Sequence, residues 1–170
     1  MLDKAVAQLL NTQINKELYS AYLYLGFANY YEEQGLAGFA HWYEIQAQEE
    51  RDHAMLFRRY LINNGMAVTF AAVDKPEHPF TSLPEPLAAG LEHERYVTSL
   101  IHTIYDAAYG AKDFRTMQFL DWFVKEQGEE ETNAEALVKK MELFGSDPKG
   151  LYMLDNELAA RVYSAPSLVL

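Results

Sequence analysis

The lengths of the joins between helical segments constrain this chain more than any other feature. Four long segments carry apolar residues at helical spacing. They run from about Asp3 to Gln34, from about Leu36 to Asn63, from Ser82-Leu83-Pro84 to Tyr109-Gly110, and from Asp113 to Phe144-Gly145. Gly35 alone parts the first two, and a short turn parts the last two, so each pair should form antiparallel neighbours. The middle join, "GMAVTFAAVDKPEHPFT", is roughly 17 residues long. Extended, such a join reaches ~56 Å, and a helix of about 28 residues spans ~42 Å. The join can therefore return along the whole bundle and leave the second and third helices parallel. The expected fold is all-α: a four-helix bundle with one long crossover between helices two and three.

End signals sharpen that reading. Asn64-Gly65 closes the second segment, and Asp113 caps the fourth. Ser82 and Glu85 fit a capping box around Pro84, which stands in the first turn where its missing N–H costs little. "AVTF" and "AAV" give weak strand signals inside the long join. After "SDPKG", the amphipathic stretch "LYMLDNELAARVY" predicts a short C-terminal fifth helix over about Leu151 to Val162. At 170 residues the chain suits one domain, 1–170.

Each long segment breaks its apolar stripe with polar residues about halfway along. Glu17 lies among Leu10, Ile14, Ala21, Tyr24 and Ala28. Glu50 and His53 interrupt Tyr43, Ala47, Ala54 and Phe57. Glu94 stands among Leu87, Leu91, Val97 and Ile101, and Gln127 and Glu130 stand among Leu120, Phe123, Ala134 and Leu137. A buried carboxylate without compensation costs several kcal/mol or takes up a proton. Four helices making that choice at one height point to a shared partner, and a cation is the simplest. Glu50 and His53, at i and i+3, can reach one ion from one helical turn. Oxygen-rich ligation with a single nitrogen suits Fe(II), Mn(II) or Zn(II). The number of candidate ligands suits two adjacent ions.

Composition removes other classes. The formal charge of −11 argues against nucleic acid, which needs clustered Lys and Arg. Without cysteine there are no disulfides, Cys-zinc sites or iron–sulfur clusters, and carboxylate and imidazole remain as ligands. No apolar run approaches the ~20 residues of a membrane span. "MLDKAVAQLL" lacks the basic start of a secretory signal, so the expected location is cytoplasmic.

The motifs carry a resemblance. "LNTQINKELYSAYLY" around Glu17, "AQEERDH" around Glu50 and His53, "HE" at Glu94, "WFVKEQGEEE" from Trp122 and "GLYMLDNEL" near the end together resemble bacterial non-haem ferritins over nearly the whole chain. That resemblance implies a ferroxidase centre. Glu17, Glu50 and His53 would bind a first iron. Glu50 would bridge to a second, held by Glu94 and Glu130 with Gln127 close by. Glu49, Glu126 and Glu129 match a third, more exposed iron site, and Tyr24 and Trp122 match aromatic residues beside the centre. The implied activity is oxidation of Fe(II) by O2 or H2O2, with Fe(III) stored as mineral inside a homo-oligomeric cage of 24 subunits. The alternative is a di-iron carboxylate oxidase acting on another substrate. Arg51 stands where haem-binding relatives place Met, so no haem is expected. Gln127 replaces a carboxylate of symmetric di-iron bundles. A neutral amide ligates hard cations weakly, so the second ion should be held loosely.

Overall fold

The computed structural model describes residues 2–77 and 79–170. Its elements are α1 (Lys4–Glu33), α2 (Ala37–Asn63), α3 (Pro84–Gly110), α4 (Phe114–Phe144) and α5 (Pro148–Ala159). No strand occurs among the described residues, so "AVTF" and "AAV" run as irregular chain.

Helix ends follow backbone chemistry. Gly35 and Gly65 take positive φ angles of 76° and 73°. Each closes its helix with paired bonds to orphaned carbonyls. Gly35 N–H donates to the Glu32 carbonyl at 3.0 Å and Leu36 N–H to the Tyr31 carbonyl at 2.9 Å. The same pattern links Gly65 to Ile62 and Met66 to Leu61. α3 ends identically through Asp113 N–H and the Ala108 carbonyl at 2.9 Å, but with Lys112 in the left-handed position, φ 55°. A side chain there carries a steric cost that glycine avoids. Lys112→Gly is therefore expected to raise stability by about 0.5–1 kcal/mol, read as a higher midpoint in chemical denaturation. An unchanged or lower midpoint would count against the assignment.

α1 packs against α2, α3 against α4, and α1 against α3. The crossover is strapped along α1. Asn11 exchanges bonds with the Thr69 backbone at 2.9 Å in both directions, Asn15 donates to the Ala72 carbonyl at 2.9 Å, and Tyr31 donates to the Leu83 carbonyl at 2.7 Å. It thus travels from the start of α1 to its end. Since α2 runs antiparallel to α1, α3 begins beside the start of α2 and runs parallel to it. The Ser82–Glu85 box forms only by half: Glu85 accepts from the Ser82 and Thr81 N–H groups, while the cap position, Leu83, contributes no side-chain bond.

α5 begins three residues before the expected Leu151 and stops at Ala159. The cause is Asp147-Pro148. Asp147 accepts from Gly150 N–H at 2.7 Å, and Pro148 supplies the preset φ of the first turn. The helix docks on α2. Asp155 Oδ1 accepts from Gly38 N–H at 2.8 Å and Phe39 N–H at 3.0 Å, so a carboxylate from α5 caps an α2 terminus that lacks a cap of its own. Gly38 permits this approach: a Cβ there would stand 1.7 Å from the Asp155 carbonyl oxygen.

The buried apolar side chains fall into two groups. One joins Leu10, Ile14, Phe57, Leu61, Ile101, Leu120 and Phe123. The other joins Tyr24, Phe27, Tyr31, Phe39, Tyr43, Leu87 and Leu137. Of the expected stripe, Ala21 and Leu91 sit at its half-buried margin.

Candidate metal centre

Between the two apolar groups lies a polar layer. Glu17 from α1, Glu50 and His53 from α2, Glu94 from α3, and Gln127 and Glu130 from α4 are all buried, none more than 5% exposed. Each came inward because its neighbours at helical spacing are apolar. The backbones leave room for it: among the described residues no Cα of α2 lies within 8 Å of one on α4. Side chains fill that seam.

One ligand from each of Glu17, Glu50 and His53 lies within 4.8 Å of the others, the group of three among the described residues that could hold an ion. His53 Nδ1 stands 3.6 Å from Glu50 Oε2. Its ring is fixed by edge-on packing against Trp122 and Phe123, with centroids at 5.5 and 5.8 Å. Glu17 Oε1 accepts from Gln13 Nε2 at 2.8 Å, whereas its Oε2 is buried with no N–H or hydroxyl donor and faces only the Glu50 carboxyl. A buried carboxylate oxygen left bare costs free energy unless something positive meets it. The donor set of two carboxylates and one imidazole fits a hard or borderline divalent cation.

Glu94 and Glu130 enter the same layer but stand outside that group of three. Glu94 accepts from the Tyr24 hydroxyl on one oxygen and from Gln127 Nε2 on the other, the latter at 3.1 Å. Glu130 Oε2 accepts from Gln46 Nε2 at 2.8 Å, and the same amide donates to Glu50 Oε1 at 3.2 Å. Gln46 thus bridges the carboxylates of α2 and α4.

Crowding acid groups away from water raises their pKa values. Glu17 is pushed well above its ordinary value by burial and then by Glu50. Glu50 is raised by burial and then by Glu94, and Glu130 by burial, Glu94 and Glu50. Glu94 is raised by burial, opposed by the bonds from Tyr24 and Gln127. Tyr24 is raised by burial and by the negative charge of Glu94, so its phenol keeps its proton.

Glu49, Glu126 and Glu129 share a separate cleft of about 240 Å³, also lined by His53 and Trp122. Glu49 is paired with Arg161 at 2.5 Å and Glu129 with Lys125 at 3.5 Å. Glu126 is raised by burial, opposed by His53.

Three contributors were not singled out from the sequence. Gln13 and Gln46 each stand four residues before a buried Glu, on the same helical face, and that spacing could have shown them. Arg161 lies 112 residues from Glu49, and no local pattern signals their meeting.

The fold and this layer match known proteins. A model of the ferritin-like domain matches residues 7–144. A bacterial non-heme ferritin of Campylobacter jejuni is 39% identical over 155 residues, 91% of this chain and 93% of that one. A probable bacterial non-heme ferritin-like protein of Haemophilus influenzae is 35% identical over 158 residues, 93% of this chain and 96% of that one. Among solved structures, an open-pore ferritin from the archaeon Archaeoglobus fulgidus superposes with a TM-score of 0.93 at 41% identity, covering 95% of this chain and 100% of that one. The carboxylate layer across four helices, the single crossover and these near-full-length matches agree, and the chain belongs to the ferritin family, alongside the bacterial non-haem ferritins.

Proposed function

We propose that the chain stores and detoxifies iron. Fe(II) is oxidised at the buried layer and Fe(III) is kept as mineral inside a cage of 24 copies in the cytoplasm. The observation that carries this is the convergence of Glu17, Glu50 and His53, in which Glu17 Oε2 is buried with no N–H or hydroxyl donor and faces a second carboxyl. It supports a site completed by a cation.

Glu17, Glu50 and His53 hold the first Fe(II). Glu50 bridges to a second, held by Glu94 and Glu130 with Gln127 beside it. Each ion gives up one electron. The pair reduces O2 to H2O2, or H2O2 to water, with protons taken up by the reduced oxygen. Hard carboxylate oxygens accommodate the higher charge of Fe(III) and so favour the oxidised product. The amide of Gln127 holds the second ion loosely, which suits a product that moves on. The Tyr24 hydroxyl donates to Glu94 and so fixes one oxygen of that ligand beside the reacting pair, and Glu49, Glu126 and Glu129 take an ion leaving the centre.

An oxidase acting on an organic substrate needs space beside the centre. The void bordered by Tyr24, Gln46, Glu94 and Glu130 measures about 10 Å³, close to one water, and the larger cleft on the His53 side is lined by three carboxylates, Glu49, Glu126 and Glu129. That favours ions as the substrate. The test is aerobic addition of Fe(II), followed by ferric absorbance and by size-exclusion chromatography with iron counting. The expected result is iron co-eluting with a particle far larger than one 19.5 kDa chain. A small, iron-free species after oxidation would overturn the storage reading.

A further inference from the structure

The chain beyond α5 returns over the seam between α2 and α4. His41 Nε2 meets the Arg161 carbonyl at 2.9 Å, Tyr163 donates to Asp52 Oδ2 at 2.5 Å, and Trp122 Nε1–H donates to Ser167 Oγ at 3.0 Å. Residues 164–167 of this strap form one wall of the cleft that holds Glu49, Glu126 and Glu129. Within it, the guanidinium of Arg161 makes three hydrogen bonds. Nη2 donates to Glu49 Oε2 at 2.5 Å, and Nη1 donates to Gln46 Oε1 at 2.9 Å and to the Trp42 carbonyl at 3.1 Å. Its plane lies over the Trp42 ring, 4.3 Å from the centroid. The Arg161 and Glu49 side chains are 19% and 17% exposed, so water screens their attraction less than at an open surface.

The geometry points to Arg161 as a built-in counter-cation, a positioning residue that holds Glu49 until a metal ion in the cleft displaces it. This rests on the iron reading above. The guanidinium holds Glu49 Oε2, so an ion in the cleft either takes the other oxygen beside a fixed positive charge or displaces Arg161 to gain both. Both courses weaken the outer position relative to the inner pair. Arg161 also sets the direction of Gln46. With Oε1 held by the guanidinium, the amide must turn its N–H donors toward Glu50 and Glu130, as it does. One residue of the tail therefore touches both the outer cleft and the buried layer. A planar fork with several donors is suited to this, and a lysine is not.

The test titrates the metal-free, assembled protein with Zn(II), which undergoes no redox change, in a calorimeter. Wild type is expected to show tight inner binding and a weaker outer event. In Arg161→Gln the outer event tightens by about tenfold, with a smaller change in the inner class. Arg161→Lys shows the same gain in lesser measure, and it keeps the experiment decisive should the glutamine variant fail to assemble. In Arg161→Gln/Glu49→Gln the gain disappears. An intact inner class with an unchanged outer event in both single variants overturns the counter-cation role and leaves the iron reading standing. So does a gain that survives removal of the Glu49 charge. A wild type that takes up no Zn(II) overturns both.

Discussion

Glu50→Ala is expected to slow Fe(II) oxidation by at least about 100-fold, since even groups that merely support a metal ligand are worth 10- to 100-fold. In the proposed centre, Glu50 is the ligand shared by both ions. It belongs to the close group with Glu17 and His53, and through Gln46 it is tied to Glu130 on the far side of the seam. Its loss leaves a one-carboxylate, one-imidazole remnant on the first position and removes the bridge to the second. The fold should survive, because the substitution deletes a buried acid whose pKa is already raised by burial and by Glu94. The variant should therefore remain helical and assembled while losing both oxidation and tight Zn(II) uptake. Stopped-flow ferric absorbance measures the first and calorimetry the second. Wild-type oxidation rates in this variant would show that the centre lies elsewhere.

Divalent cations should stabilise the folded chain, and more so as pH rises. Glu17, Glu50, Glu94 and Glu130 all have folded-state pKa values raised above the ordinary carboxylate range. A group raised on folding contributes stability while protonated. That contribution is complete below the unfolded value of about 4.3 and is lost as pH climbs through the raised folded values. The metal-free protein should thus lose this component progressively as pH rises above about 4.3. A bound cation reverses the sign, since it needs the deprotonated ligands. Ligand at 100 times its Kd adds about 2.7 kcal/mol, which at this chain length corresponds to roughly 5–10 °C in Tm. The gap between melting temperatures with and without Zn(II) should widen from pH 5.5 to 8. A gap that stays constant or narrows would show that these carboxyls are not the ones that meet the metal.

Much of this was legible in the residues because local chemistry decides it. Gly35 and Gly65 end helices through their own φ angles, and the middle join is long enough for the parallel crossover it makes. The inward turn of Glu17, Glu50, His53, Glu94, Gln127 and Glu130 follows from apolar neighbours three and four residues away. What stayed hidden depends on distant meetings. The cap on α2 comes from Asp155, 117 residues from Gly38. Lys112 adopts a left-handed turn that no residue preference announces. Helical spacing says which way Glu94 and Glu130 face. It does not say that Tyr24, Gln127 and Gln46 hold their oxygens apart from the close group of three. The early start of α5 could have been read: Asp147-Pro148 is a cap followed by a first-turn proline.

The two apolar groups on either side of the ligand layer work as fixed plates around an exchangeable slot. Phe57 and Phe123 stack on one side, and Tyr31 and Tyr43 on the other; each pair is anchored ring to ring within its own group, and Phe123 also meets the edge of His53. Helix register is therefore set by parts that keep the same neighbours whether cargo is arriving or leaving. A protein that handles ions in turn needs that separation, because each arrival and departure changes the charge of the slot.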